Sequence, residues 1–156
     1  MTRSLKQALL LNAVALLIGL TTMTLAGSEN ANVGDRDRFI GAWRLAWLEE
    51  EGADGNVHKA DCTGLLVYTP DGHMSVQVMY RNQQAGSSYA QGGYEASYGT
   101  YQIDESAHTF TFHVEGALVR TLIGKALTRV YEFSGNQLIV KSASPNEHWK
   151  VAWEHY

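Results

Sequence analysis

From Phe39 onward, apolar positions recur every second residue in short runs, and the runs are separated by Gly, Pro, Asn and Asp. That is the period of a half-buried β-strand. "HMSVQVMYR" is the clearest case, with Met74, Val76, Val78 and Tyr80 alternating with His73, Ser75 and Gln77. The C-terminal run sets Trp149, Val151 and Trp153 against His148, Lys150 and Ala152. Taken in order, "FIGAWRLAWLEE", "CTGLLVYT", "HMSVQVMYR", "YGTYQID", "HTFTFHVEGA", "ALTRVYEF", "NQLIVKS" and "EHWKVAWEHY" predict eight strands.

Most links between them are short, as at "PDG" (Pro70–Gly72) and "SGN" (Ser134–Asn136), so neighbours should be antiparallel. The fold class is all-β: an eight-stranded antiparallel up-and-down barrel, with a β-sandwich as the alternative. One link is long. Asn82–Tyr98 is rich in Gly, Ser and Gln, and reads as a lid over a barrel mouth with one helical turn near Tyr94–Ala96.

The pattern ahead of Phe39 is different. Arg3 and Lys6 precede nineteen uncharged residues, Ala8–Ala26, which end in Thr24-x-Ala26. This is the layout of a cleaved secretory signal peptide over residues 1–26, and an uncleaved N-terminal anchor is the competing reading. "LAGS" is similar to a lipoprotein cleavage box, but Ser28 stands where the lipidated cysteine would be. Residues 27–38 are polar and aperiodic and read as a tether, which leaves 39–156 as the barrel domain. Localisation is then secreted or periplasmic, with no stable membrane anchor once the signal is removed.

Composition narrows the function. The chain is 45% hydrophobic and 18% charged, as in a globular domain. Cleavage would remove two basic residues and no acidic ones, taking the formal charge from −4 to about −6. Such a surface repels phosphate backbones, so nucleic acid is not an expected partner. Cys62 is the single cysteine, which excludes an intramolecular disulfide, and its place on an apolar strand suits a buried thiol. His108 and His113 fall on opposite faces of a strand, and no other pair has ligand spacing, so no metal site is expected. No nucleophile elbow, phosphate loop or dinucleotide fingerprint is present, and no cofactor is implied.

"FIGAWRL", "TGLLVYTPDGHMSVQ", "YGTYQID", "TFHVEGAL" and "RVYEFSGNQL" follow one another in an order that resembles the bacterial and fungal lipocalin-like domain family, a branch of the calycin barrels. The resemblance implies a barrel with an internal cavity for a small, largely apolar molecule. It further implies that Trp43, of the opening Gly-x-Trp, sits at the closed end under a basic side chain from a late strand, which Lys150 or Arg129 would supply.

The strand faces give the candidate chemistry. Arg129, Tyr131 and Phe133 share one face. Arg129 is either a plug over Trp43 or a clamp with Tyr131 for an anionic head group, an arrangement similar to that of fatty-acid-binding proteins, or it pairs with an internal carboxylate such as Glu115. On "HTFTFHVEGA", the fifth of these strands, Phe110, Phe112 and Val114 share one face, while Thr109, Thr111, His113 and Glu115 share the other. If the polar face turns inward, His113 and Glu115 line the cavity beside Tyr98 or Tyr101, either as hydrogen-bonding groups or as a proton-transfer pair.

The expected function is binding or carriage of a small amphipathic molecule, with Trp47, Met74, Val76, Val78 and Tyr80 as apolar wall and Arg129, Tyr131, Tyr101 and His113 at the polar end. The alternatives are a cofactor-free cyclase or isomerase using His113 and Glu115, and an envelope interaction module with a filled barrel.

Overall fold

The computed structural model describes residues 34–52, 54–82 and 87–156. The signal-peptide reading, the first part of the tether and the first part of the long loop lie outside these residues.

Nine strands form one antiparallel sheet: β1 (Gly41–Glu51), β2 (Val57–Lys59), β3 (Cys62–Tyr68), β4 (His73–Tyr80), β5 (Tyr94–Asp104), β6 (Thr109–Ala117), β7 (Ala126–Ser134), β8 (Gln137–Ser142) and β9 (Trp149–His155). Each strand from β3 to β9 pairs with the next, and β1 pairs with both β3 and β9. Eight strands therefore close into a barrel with no free edge. The ninth, β2, pairs only with the far end of β1, at Glu49–Glu51. With Ala60 donating its N–H to the Leu48 carbonyl at 2.8 Å, β2 and β3 run along β1 as one interrupted strand.

Besides β2, which the eight-strand reading does not include, β5 and β1 depart from the sequence pattern. Tyr94–Ala96 is strand and not a helical turn, because Met79, Val78 and Gln77 of β4 take Tyr94, Glu95 and Ala96 as partners. On β1 the register shifts between Leu45 and Trp47 opposite β9. This bulge at Ala46 reverses the inward parity, so Trp43 and Leu45 face in, then Leu48 and Glu50. Trp47 is turned to the outer face, where the Lys150 ammonium lies 5.8 Å from its ring centroid. Trp47 is thus not part of the cavity wall.

The last residues of the segment read as tether, together with Phe39, form the helix α1 (Asp35–Phe39). It delivers Phe39, fully buried, into one end of the barrel. Edge-to-face contacts with Tyr68, Phe110, Tyr131 and Phe133 surround the ring at centroid distances of 4.9–5.5 Å. The Trp43 indole N–H donates to the Phe39 carbonyl at 2.8 Å. His155 stacks on Trp43 at 3.6 Å, and a Cβ on Gly41 would come within 2.8 Å of the imidazole, so this packing requires glycine there.

Arg38 covers Phe133 at 3.8 Å. Tyr131 donates its O–H to Asp35 at 2.8 Å, and Glu105 accepts the Arg36 N–H at 3.1 Å. The closed end is therefore stoppered by α1. The basic groups that cover its aromatics are His155 and Arg38, not Lys150 or Arg129.

Candidate functional site

Toward the other end the barrel is hollow, with a cavity of about 980 Å³. The floor is formed by Tyr68 and Phe110, next to the Phe39 stopper, and the buried Tyr68 hydroxyl has no hydrogen-bond partner among the described residues. Above it the wall is apolar: Leu66 from β3, Met74, Val76 and Val78 from β4, Phe112 from β6 and Val140 from β8 all face inward. Alternation puts them there, because each strand turns its large apolar side chains to one side. The mouth differs in character. Glu50, Tyr80, Glu95, Arg129 and Glu147 line it, together with Tyr89 from the described part of the long loop.

Arg129 enters this cavity from β7, three residues beyond the strand's start, and only 10% of its side chain is exposed. Its Nη2 donates to the Tyr89 hydroxyl at 2.9 Å and its Nη1 to the Thr128 carbonyl at 3.3 Å. Glu147 lies 3.8 Å from Nη1, and the guanidinium stands about 5 Å from the rings of Tyr89 and Trp149. Tyr89 in turn donates to Glu147 at 2.7 Å, and the Trp149 indole donates to the same carboxylate at 3.2 Å. Two mouth loops and two strands thus meet on one charge-assisted cluster.

Burial pushes the Glu147 carboxyl up, but the hydrogen bonds from Tyr89, Ser142 and Trp149 and the Arg129 charge outweigh it and hold it below its ordinary value. The Tyr89 phenol is raised to about 12, by burial first and then by its bond to Glu147.

Glu95 faces into the cavity opposite Val78. No hydrogen bond joins it to any described residue, and burial lifts its carboxyl to about 7, with Arg129 drawing it down and Glu50 pushing it up. Glu50 accepts the Tyr80 hydroxyl at 3.2 Å, and that phenol is raised by burial and by the Glu50 charge. Cys62, half-buried nearby, has its thiol raised to about 11, chiefly by burial and then by Glu50, Asp61 and Glu95. A thiol so shifted is a poor nucleophile at neutral pH. Among the described residues no group of three or more His, Cys, Asp or Glu side chains is arranged to hold a metal ion.

The candidate residues read from sequence separate into three places. Arg129, Tyr80, Val78 and Met74 line the cavity. Tyr131 and Tyr101 face inward but belong to the closed end, where Tyr131 holds Asp35 and Tyr101 donates to the Thr69 carbonyl at 3.0 Å. The Arg129–Tyr131 clamp is therefore split between the two ends of the barrel.

His113 and Glu115 lie on the outer face, because Phe110, Phe112 and Val114 are the buried set on β6. They do not enter the cavity as a proton-transfer pair, and Glu115 is not the partner of Arg129. Tyr98 is outside as well, 58% exposed.

Glu95, Glu50, Tyr89 and Glu147 do not stand out in the sequence pattern. Extending the fifth strand back from Tyr101 by alternate residues reaches Ser97 and Glu95, which is the signal that finds the first. Glu50 is concealed by the bulge, since plain alternation from Trp43 turns it outward. Tyr89 and Glu147 sit on loops, whose periodicity says nothing about direction.

Residues 40–155 match the family model described as a lipocalin-like domain. None of the curated proteins matches the chain. Among solved structures, a lipocalin-like protein from Bacteroides uniformis ATCC 8492 is similar, with 16% identity and a TM-score of 0.47, covering 76% of this chain and 99% of that one. An uncharacterized protein from Bacteroides eggerthii DSM 20697 has 15% identity and a TM-score of 0.46 over the same shares.

Proposed function

The chain belongs to the lipocalin-like domain family, and from that premise we propose that it is an exported protein that takes up a small amphipathic molecule in its barrel. The observation that carries this reading is the cavity of about 980 Å³, apolar along its depth and polar at its mouth. Ligand sites of this kind pair a hydrophobic enclosure with a few polar groups that fix orientation. The stopper at one end makes the other end the entrance, and the Tyr89 cluster lies across part of it. A ligand would lie with its apolar body against Val76, Phe112 and Val140 and its polar group near Glu50, Glu95 and Arg129. Export rests on the N-terminal pattern alone, with cleavage after Ala26.

Native mass spectrometry of the protein isolated from its own host tests both parts. A discrete adduct of a few hundred daltons, released by denaturation, on a chain whose mass begins at Gly27 is the expected result. A bare protein that also takes up no apolar probe would overturn the binding reading, and a chain retaining residues 1–26 would overturn cleavage.

A further inference from the structure

The charged groups around the cavity are unequally matched. Glu50, Glu51, Glu95 and Glu147 line it, against Arg129 and His148. Glu147 is engaged with Arg129, and Glu51 lies 3.8 Å from His148. Among the described residues Glu50 is bonded only to a neutral phenol, and Glu95 has no hydrogen bond or ion pair, with only the more distant Arg129 charge drawing on it. A carboxylate desolvated at the mouth of an apolar cavity is costly to leave uncompensated. Among the described residues, the titratable groups that act electrostatically on Glu95 are Glu50 from β1, Cys62 from β3, Tyr80 from β4 and Arg129 from β7. Arg129 is the one cation among them, and its guanidinium already serves Tyr89, Thr128 and Glu147.

We propose that the ligand of this barrel is an amphipathic organic cation, such as a protonated amine on an apolar body, held by Glu95 with Glu50 at its side. The inference rests on the cavity being a binding site and adds the chemical class of what it binds. An anionic amphiphile would meet uncompensated carboxylates and an arginine already occupied; an ammonium group would meet its complement in an environment that strengthens the pairing. The shifted carboxyl of Glu95 agrees with this geometry, because a group held near pH 7 by desolvation is one that an entering cation would help to ionise.

The test is displacement of N-phenyl-1-naphthylamine, an uncharged fluorescent probe, from the protein purified in the form its cells make. The competitors are dodecylamine, dodecanol and dodecanoate, all below their aggregation limits. At pH 8 dodecylamine should displace the probe at concentrations roughly tenfold or more below those of either other compound. In Glu95→Gln the advantage should shrink to about threefold or less, while Glu132→Gln, on the outer face, should leave it intact.

In the wild type the ratio of dodecylamine to dodecanol affinity should rise from pH 6 to pH 8 as Glu95 loses its proton, a readout that does not depend on any variant folding. Dodecanoate displacing as well as dodecylamine, an amine advantage unchanged in Glu95→Gln, or a ratio flat with pH would each overturn the inference while leaving the cavity a binding site. Absence of probe binding altogether would overturn the binding reading itself, and this inference with it.

Discussion

Glu95 carries the sharpest expectation for a single residue. Its carboxyl titrates near 4.5 in an unfolded chain and is raised to about 7 in the barrel, so the folded state holds the proton more tightly. Stability from this group is fully present below about pH 4.5 and is lost as pH rises through 7. Between pH 4 and pH 8 the wild type should lose on the order of 3 kcal/mol relative to Glu95→Gln, read from paired urea melts. Equal pH profiles for the two proteins would mean that Glu95 is not held as described.

Arg129 acts on the same carboxyl from across the cavity, and its charge draws the Glu95 value down. Arg129→Met should therefore extend that pH-dependent loss to higher pH than in the wild type. It should also destabilise the protein by about 1–3 kcal/mol, since Tyr89 and Glu147 lose a charge-assisted partner. A pH profile whose upper end is unmoved by the substitution would contradict the coupling.

Among the elements, α1 has an influence out of proportion to its five residues. Phe39 is fully buried among five aromatic rings, and Trp43 is tied to its carbonyl. Phe39→Ala should cost about 3–5 kcal/mol, seen as a lower denaturant midpoint at unchanged slope. A loss below about 1 kcal/mol would mean that the barrel closes without its stopper.

This element also marks where the sequence is hard to read. The eight barrel strands are legible because sustained alternation of apolar and polar residues, as on β4 and β9, suits a half-buried strand and fits no helical face. The five residues of "DRDRF" are too few to show a helical period, and four of them are charged, so nothing in the pattern announces that the fifth is the most enclosed ring in the barrel. The bulge at Ala46 is hidden for a related reason. Trp43, Leu45 and Trp47 keep perfect alternation in sequence, and only the pairing with β9 reveals the extra residue that turns Trp47 out.

For the molecule as a whole, barrel architecture and the direction of its core follow from the pattern, while the site follows only in part. Arg129 is expected inside and is inside. Its partners come from loops, Tyr89 and Glu147, whose approach depends on closure of the whole barrel and not on local periodicity. His113 and Glu115 look chemically suggestive because they share a strand face, but the burial of Phe110, Phe112 and Val114 decides which face is inward. Sorting large apolar side chains to the inside outweighs any arrangement of polar ones, since each buried ring is worth about 1.5–3 kcal/mol.

The central claim is that the space between the stopper and the mouth is a binding cavity, and a fluorescence titration with N-phenyl-1-naphthylamine tests it most directly when wild type is set beside Val76→Trp. Val76 faces the cavity from β4 and is not fully packed, so an indole there would occupy the space a ligand needs. The wild type should bind the probe saturably at one site, and Val76→Trp should remain folded by near-ultraviolet circular dichroism while losing most of that binding. Equal uptake by the two folded proteins, or none by either, would contradict it.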